Sequence, residues 1–161
     1  TGNVPLQDRC LAYLSIACRL DGDEGQVRAY VRQGLKAAIS EQNSYYIGVA
    51  KANLSWLSHR KGNLGHALRV GVLALEQWRA LAYPLEWLAR WPLLSVHFSQ
   101  DQVSRAVDEA RAMLVPAQQR LADVVEVLLE EAVQAWDQGK QASAGERLRR
   151  AINLAGEIGY L

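Results

Sequence analysis

The chain has 161 residues, half of them apolar, and 18 Lys and Arg against 17 Asp and Glu, for a net charge of +1. That length allows one domain with a sizeable core, and the charge balance gives no electrostatic reason to expect nucleic acid or an anionic membrane surface as partner. Charged residues interrupt every long apolar run, so no stretch approaches the roughly 20 apolar residues of a membrane span. No basic, apolar signal peptide opens the sequence, and the start Thr1-Gly2-Asn3 reads as a piece cut from a longer protein. A single Phe, only four Pro and few Val–Thr alternations argue against a sheet, so the expected class is all-α. Cys10 and Cys18 fall on one predicted helix. Two helical turns separate them, about 12 Å of rise, too far for a disulfide. A reducing cytoplasm is the expected setting.

The first predicted hairpin covers about 6–40, with helices near Leu6–Leu20 and Glu24–Ser40 and a loose turn at Asp21–Gly25. The second covers 43–82 and has the clearest pattern. Tyr46, Ala50, Leu54 and Leu57 form one apolar stripe, and Val49, Ala52 and Trp56 form another beside it. Two stripes mean a helix packed on more than one side. Leu64, Ala67, Leu68, Gly71, Ala74, Leu75 and Trp78 repeat the spacing in the next helix. Gly62 suits the left-handed residue that ends a helix, and Asn63 the cap that starts one. Ala67 and Gly71 predict a close approach of the two helices, toward the low end of roughly 8–10 Å.

The third hairpin spans 84–114, with helices near Pro84–Ser99 and Gln102–Leu114. Pro84 is tolerated in a first helical turn. Pro92 lies inside the pattern, so the helix kinks at Arg90-Trp91 or two short helices meet there. The fourth spans 116–158, with helices near Pro116–Gln138 and Gln141–Ile158, the former expected to be the longest in the chain. Its apolar stripe is Leu121, Val125, Leu128, Ala132, Ala135 and Trp136, and Asp123, Glu126, Glu130 and Asp137 form an acidic stripe. Relative to the second hairpin these units recur after about 37 to 39 residues, laying Gly25, Ala106 and Gly139 on Gly62, Ala67 and Gly62 in turn. Such a period predicts a right-handed α-solenoid of about four antiparallel helical hairpins.

The Asn53-Leu54-Ser55 step, the Gly62-Asn63 turn, Ala67 and the Ala74-Leu75 pair resemble a tetratricopeptide repeat. The family favours aromatics where Lys51 and Ser58 stand and a proline near Trp78, so the match is divergent and its peptide-gripping residues do not carry over. Followed by a Tyr-Pro and a Trp-rich helix, the stretch looks like the C-terminal helical arrays of large bacterial regulators that carry a signal-transduction ATPase and a cyclase or DNA-binding domain. That resemblance implies a sensing or assembly role.

No chemistry stands out. His59 and His66 flank the central turn without further ligands at metal spacing, and both are expected to face solvent. His97 is expected to pack, partly buried. No phosphate loop or nucleophile elbow is present. Asp108-Glu109 and Glu130-Glu131 are sequence neighbours, so they diverge by about 100° on a helix and cannot converge on one bond. No catalytic residue, cofactor or metal is expected. The aromatic residues leave two readings open, core or groove. If first helices line one groove, Trp56, His59 and Arg60 form its basic end, Trp91, Ser95 and Phe98 its aromatic middle, and Glu126, Glu130 and Asp137 its acidic end. Residues 1–81 carry ten basic against six acidic side chains and residues 82–161 eight against eleven, in keeping with that polarity. The expected function is a non-catalytic protein–protein interaction or sensor module; the alternatives are a self-association domain and a receptor for a small-molecule or peptide signal.

Overall fold

The computed structural model describes residues 4–161; Thr1-Gly2-Asn3, on which the reading of a cut chain rests, lie outside them. Among the described residues there are eight helices and no strand: α1 (Val4–Leu20), α2 (Glu24–Ser40), α3 (Ser44–Arg60), α4 (Leu64–Trp78), α5 (Trp87–Ser99), α6 (Val103–Met113), α7 (Asp123–Asp137) and α8 (Gln141–Glu157). Among the described residues no helix is long and apolar enough to cross a membrane. The second helices begin at residues 24, 64, 103 and 141, so the period is 40, 39, then 38.

One turn geometry recurs. Gly22, Gly62 and Gly139 sit at φ near +74°, and Gln42 and Asp101 reach the same region without being glycine. At each, the left-handed residue donates its amide three residues back and the next residue donates five back, as in Gly62 to His59 and Asn63 to Ser58. This pair of hydrogen bonds satisfies the last carbonyls of the preceding helix. Asp23, Asn43 and Asn63 then cap the following helices through their side chains. The repeat register therefore runs through Gly22. The alignment of Gly25 on Gly62 is wrong by three residues, because Gly25 lies inside α2.

Consecutive helices pack against each other, and α1 also meets α3, as α3 meets α5. Close approach inside the second pair has a visible cause. Ser55 Oγ donates to the Ala67 carbonyl at 2.7 Å, and a Cβ on Gly71 would press on Ser55 Oγ and Leu93. Gly48 likewise leaves room for the Trp78 indole, which stacks on Tyr83 with centroids 4.4 Å apart and donates to the Tyr45 carbonyl.

The fourth pair departs from the pattern. Beyond α7, α8 packs on α5 and α6, so no direct α5–α7 contact continues the series. The expected long helix from Pro116 is also not there. Residues 114–122 form an irregular connection, and α7 starts at Asp123. Gln118 and Gln119 explain it. Gln118 accepts from the Glu86 amide and donates to the Tyr83 carbonyl, while Gln119 accepts from the Trp87 indole and its amide donates to the Pro84 carbonyl. The two connections flanking α5 and α6 satisfy each other's polar groups, which a helix through 116–122 would forgo.

Candidate functional site

Pro92 lies inside α5 without breaking it. A proline has no amide, so the carbonyl four residues back, Leu88, loses its helical donor. Arg19, at the end of α1, replaces it: Nη1 donates to the Leu88 carbonyl at 2.7 Å. Nη1 also lies 3.4 Å from Asn53 Oδ1, and Nη2 donates to the Tyr160 carbonyl at 2.7 Å. Asn53 Nδ2 in turn donates to Ser15 Oγ, which donates to the Ala12 carbonyl. The guanidinium is fully buried between the faces of Trp56 and Trp87, 5.5 and 5.3 Å from their centroids. Burial pushes its pKa down to about 9, so it remains cationic at neutral pH. Oxygen dipoles and indole faces hold this charge; among the described residues no carboxylate pairs with it.

The Tyr160 carbonyl belongs to a segment that folds back after α8. Gly159 stands at φ +84°, and any Cβ there would collide with the Leu20 carbonyl. The Tyr160 ring lies against Trp87 and Trp91 at 4.8 and 6.0 Å, and its hydroxyl accepts from the Ala122 amide. Leu161 is buried. Arg60 Nη1 donates to its carbonyl at 3.2 Å.

Beside this segment is an open cleft of about 430 Å³ lined by His59, Arg60, Ile152, Asn153, Gly156 and Leu161. Arg60 at its rim is bonded to Glu24 and lies over the Trp56 ring, 5.0 Å from its centroid. His59 is turned inward, a correction to the solvent-facing expectation: Nε2 meets Ser95 Oγ at 2.8 Å and Nδ1 is buried without a partner. Burial lowers its pKa, and Arg19 and then Arg60 lower it further. His66 instead bonds Ser58 through Nδ1, and His97 is buried against Gln102, as expected for a packing residue.

The predicted groove is therefore split. Trp56 and Trp91 have no exposed surface and form core, so the aromatic middle does not face outward. The indoles bury more apolar area than any other side chain could at those positions. His59, Arg60 and Ser95 do come together. Phe98 sits nearby, half-buried under Arg149, 5.9 Å from the ring centroid. The acidic end lies elsewhere because α8 meets α5 in place of α7. Asp137 pairs with Arg111 of α6, Glu126 with Arg120 and the Leu121 amide, and Glu130 is exposed.

Sequence reasoning missed Arg19, and Tyr160 as its partner. Two signals were readable: a helix-interior proline that frees a carbonyl, and Asp8, Ala12, Ser15 and Arg19 spaced along one face of α1. Among the described residues no three His, Cys, Asp or Glu side chains gather at metal-binding distance. No protein-family model, curated protein or solved structure matches this chain.

Proposed function

We propose that this chain is a non-catalytic protein-interaction module, a tetratricopeptide-like solenoid within a larger cytoplasmic regulatory protein of the bacterial signalling type, and that it holds an extended segment of a partner protein. The observation that supports this reading is that Arg19 and Arg60 donate to consecutive main-chain carbonyls, of Tyr160 and Leu161, beside the open cleft. Hydrogen bonds to the main chain, with pockets for side chains, are how extended peptides are gripped. The Ser95–His59 pair gives no support to a hydrolase, since nothing bonds His59 Nδ1 to orient the ring as a base. A displayed library of random hexapeptides tests the reading. Enrichment on the unmodified chain that is lost on Arg60→Glu is expected. No enrichment, or equal enrichment on both, overturns it.

Self-association is the second reading. Val124 and Val127 are 61% and 50% exposed and, with Leu128 and Leu154, form the apolar floor of an open groove between α7 and α8. Asp123 and Glu131 edge it on one helix and Arg147 and Arg150 on the other, an arrangement that a second copy related by a two-fold axis would complement. Light scattering across a concentration series separates the readings: a mass that stays monomeric removes this one, and a dimer abolished by Val127→Asp supports it.

A further inference from the structure

The segment 159–161 occupies the site in a way that a segment of another chain could reproduce. It is fixed by side-chain bonds from other helices and by main-chain bonds to the end of α8. The Tyr160 and Leu161 carbonyls accept from Arg19 and Arg60, whereas both their amides share one carbonyl, that of Ala155. Its side chains enter two places, the Tyr160 ring against Trp87 and Trp91 and the Leu161 side chain beside the 430 Å³ cleft. Leu161 shares the lining of that cleft with Ile152, Asn153 and Gly156. Arg19 Nε, Trp56 Nε1, Trp91 Nε1 and His59 Nδ1 are buried without a protein partner. The hinge is also defined. Only glycine fits at 159, at positive φ and against the Leu20 carbonyl.

We propose that Gly159-Tyr160-Leu161 is an in-cis occupant of this site, and that the partner is a polypeptide segment presenting an aromatic residue followed by an aliphatic one, which displaces it. This rests on the reading of the chain as a module for extended protein segments and adds the ligand's chemistry and the chain's own competition for it. The apparent affinity of the partner is reduced by the fraction of molecules in which the segment is docked.

The test is fluorescence polarisation with a labelled peptide of the sequence of residues 157–161, titrated against the full chain and against Gly159→Val, whose side chain forces the segment off Leu20. At least about tenfold tighter binding to the variant is expected, with loss of binding when the peptide's Tyr and Leu are both replaced by Ala. Equal binding to both chains overturns the in-cis competition and leaves the module reading intact. No binding to either chain, while library hexapeptides still enrich, also overturns this proposal alone; failure of both experiments removes the module reading with it. Should Gly159→Val lose helical circular dichroism, amide exchange on the unmodified chain decides. Exchange of Tyr160 and Leu161 through an opening insensitive to denaturant is expected. Exchange only through global unfolding overturns the proposal and makes the segment part of the core.

Discussion

Pro92 removes one amide from α5 and Arg19 supplies the missing donor, so the two residues form a functional pair although 73 positions separate them in the sequence. Replacing Arg19 with Met removes a buried cation but leaves the Leu88 and Tyr160 carbonyls without their donors. Each such orphan costs about 1–3 kcal/mol, partly offset by the relief of burying a charge. A net loss of about 1–3 kcal/mol is expected. In a Pro92→Ala background the new amide can reach the Leu88 carbonyl, so the same substitution should cost about 1 kcal/mol less. Urea unfolding of the four proteins in that cycle measures the coupling, and a coupling of zero would show that Arg19 does not serve the proline gap. His59 adds a pH signature. Its folded pKa lies below the unfolded value of 6.5, so the unfolded chain binds more protons in the window just under 6.5. Stability is complete above that value and is lost as pH falls through the folded pKa. His59→Gln should flatten the change in thermal midpoint between pH 7.5 and 5.5 relative to the unmodified chain.

Left-handed turns end α1, α2, α3, α5 and α7, and they divide by residue type. Gly22, Gly62 and Gly139 take the left-handed conformation without a steric penalty, while Gln42 and Asp101 carry a Cβ into it. Opposite signs follow for opposite exchanges. Asp101→Gly should stabilise by about 0.5–1 kcal/mol and Gly62→Ala destabilise by about 1 kcal/mol or more, read as shifts in denaturation midpoint. The central turn was legible from Gly62-Asn63 because both residues state their backbone preference locally. The Asp101 turn was placed only by spacing, since nothing about Gln100-Asp101-Gln102 demands a positive φ. In the first turn two glycines compete, and the hydrogen bonds of the folded chain, invisible in the sequence, choose Gly22. The acidic stripe of α7 was legible as a stripe, but its facing depends on α8 packing against α5, which periodicity cannot encode. Gln118 and Gln119 mislead for the same reason, as good helix formers whose partners are in another connection. Inside the second pair, Gly48→Ala should strike the Trp78 indole and cost about 1–3 kcal/mol by overpacking, with a shifted Trp emission maximum as its spectroscopic mark.

Across the molecule the packing is uneven. Val27, Val31, Ala50, Trp56 and Leu57 make a small cluster between α2 and α3, while the larger core takes in Ala12 of α1 and runs from α3 through α8, including Trp78, Trp87 and Trp91. Leu6, Tyr13 and Leu14 on α1 remain exposed. Amide exchange should therefore protect α3–α5 most and release α2 first, because local opening free energy follows buried apolar contact; equal protection of α2 and α4 would contradict this. A chain of stacked helix pairs is ordinarily a spring, in which each unit touches only its neighbours and an end-to-end pull stretches all junctions together. Here Arg19 holds Tyr160, 141 positions further on in the sequence, and Gly159 rests on Leu20. That contact is a clasp between the first helix pair and the end of the last. Tension between the first and last pairs would load the clasp before any helix junction, so the molecule would yield in two stages: a small extension as the clasp parts, then the elastic response of the freed stack.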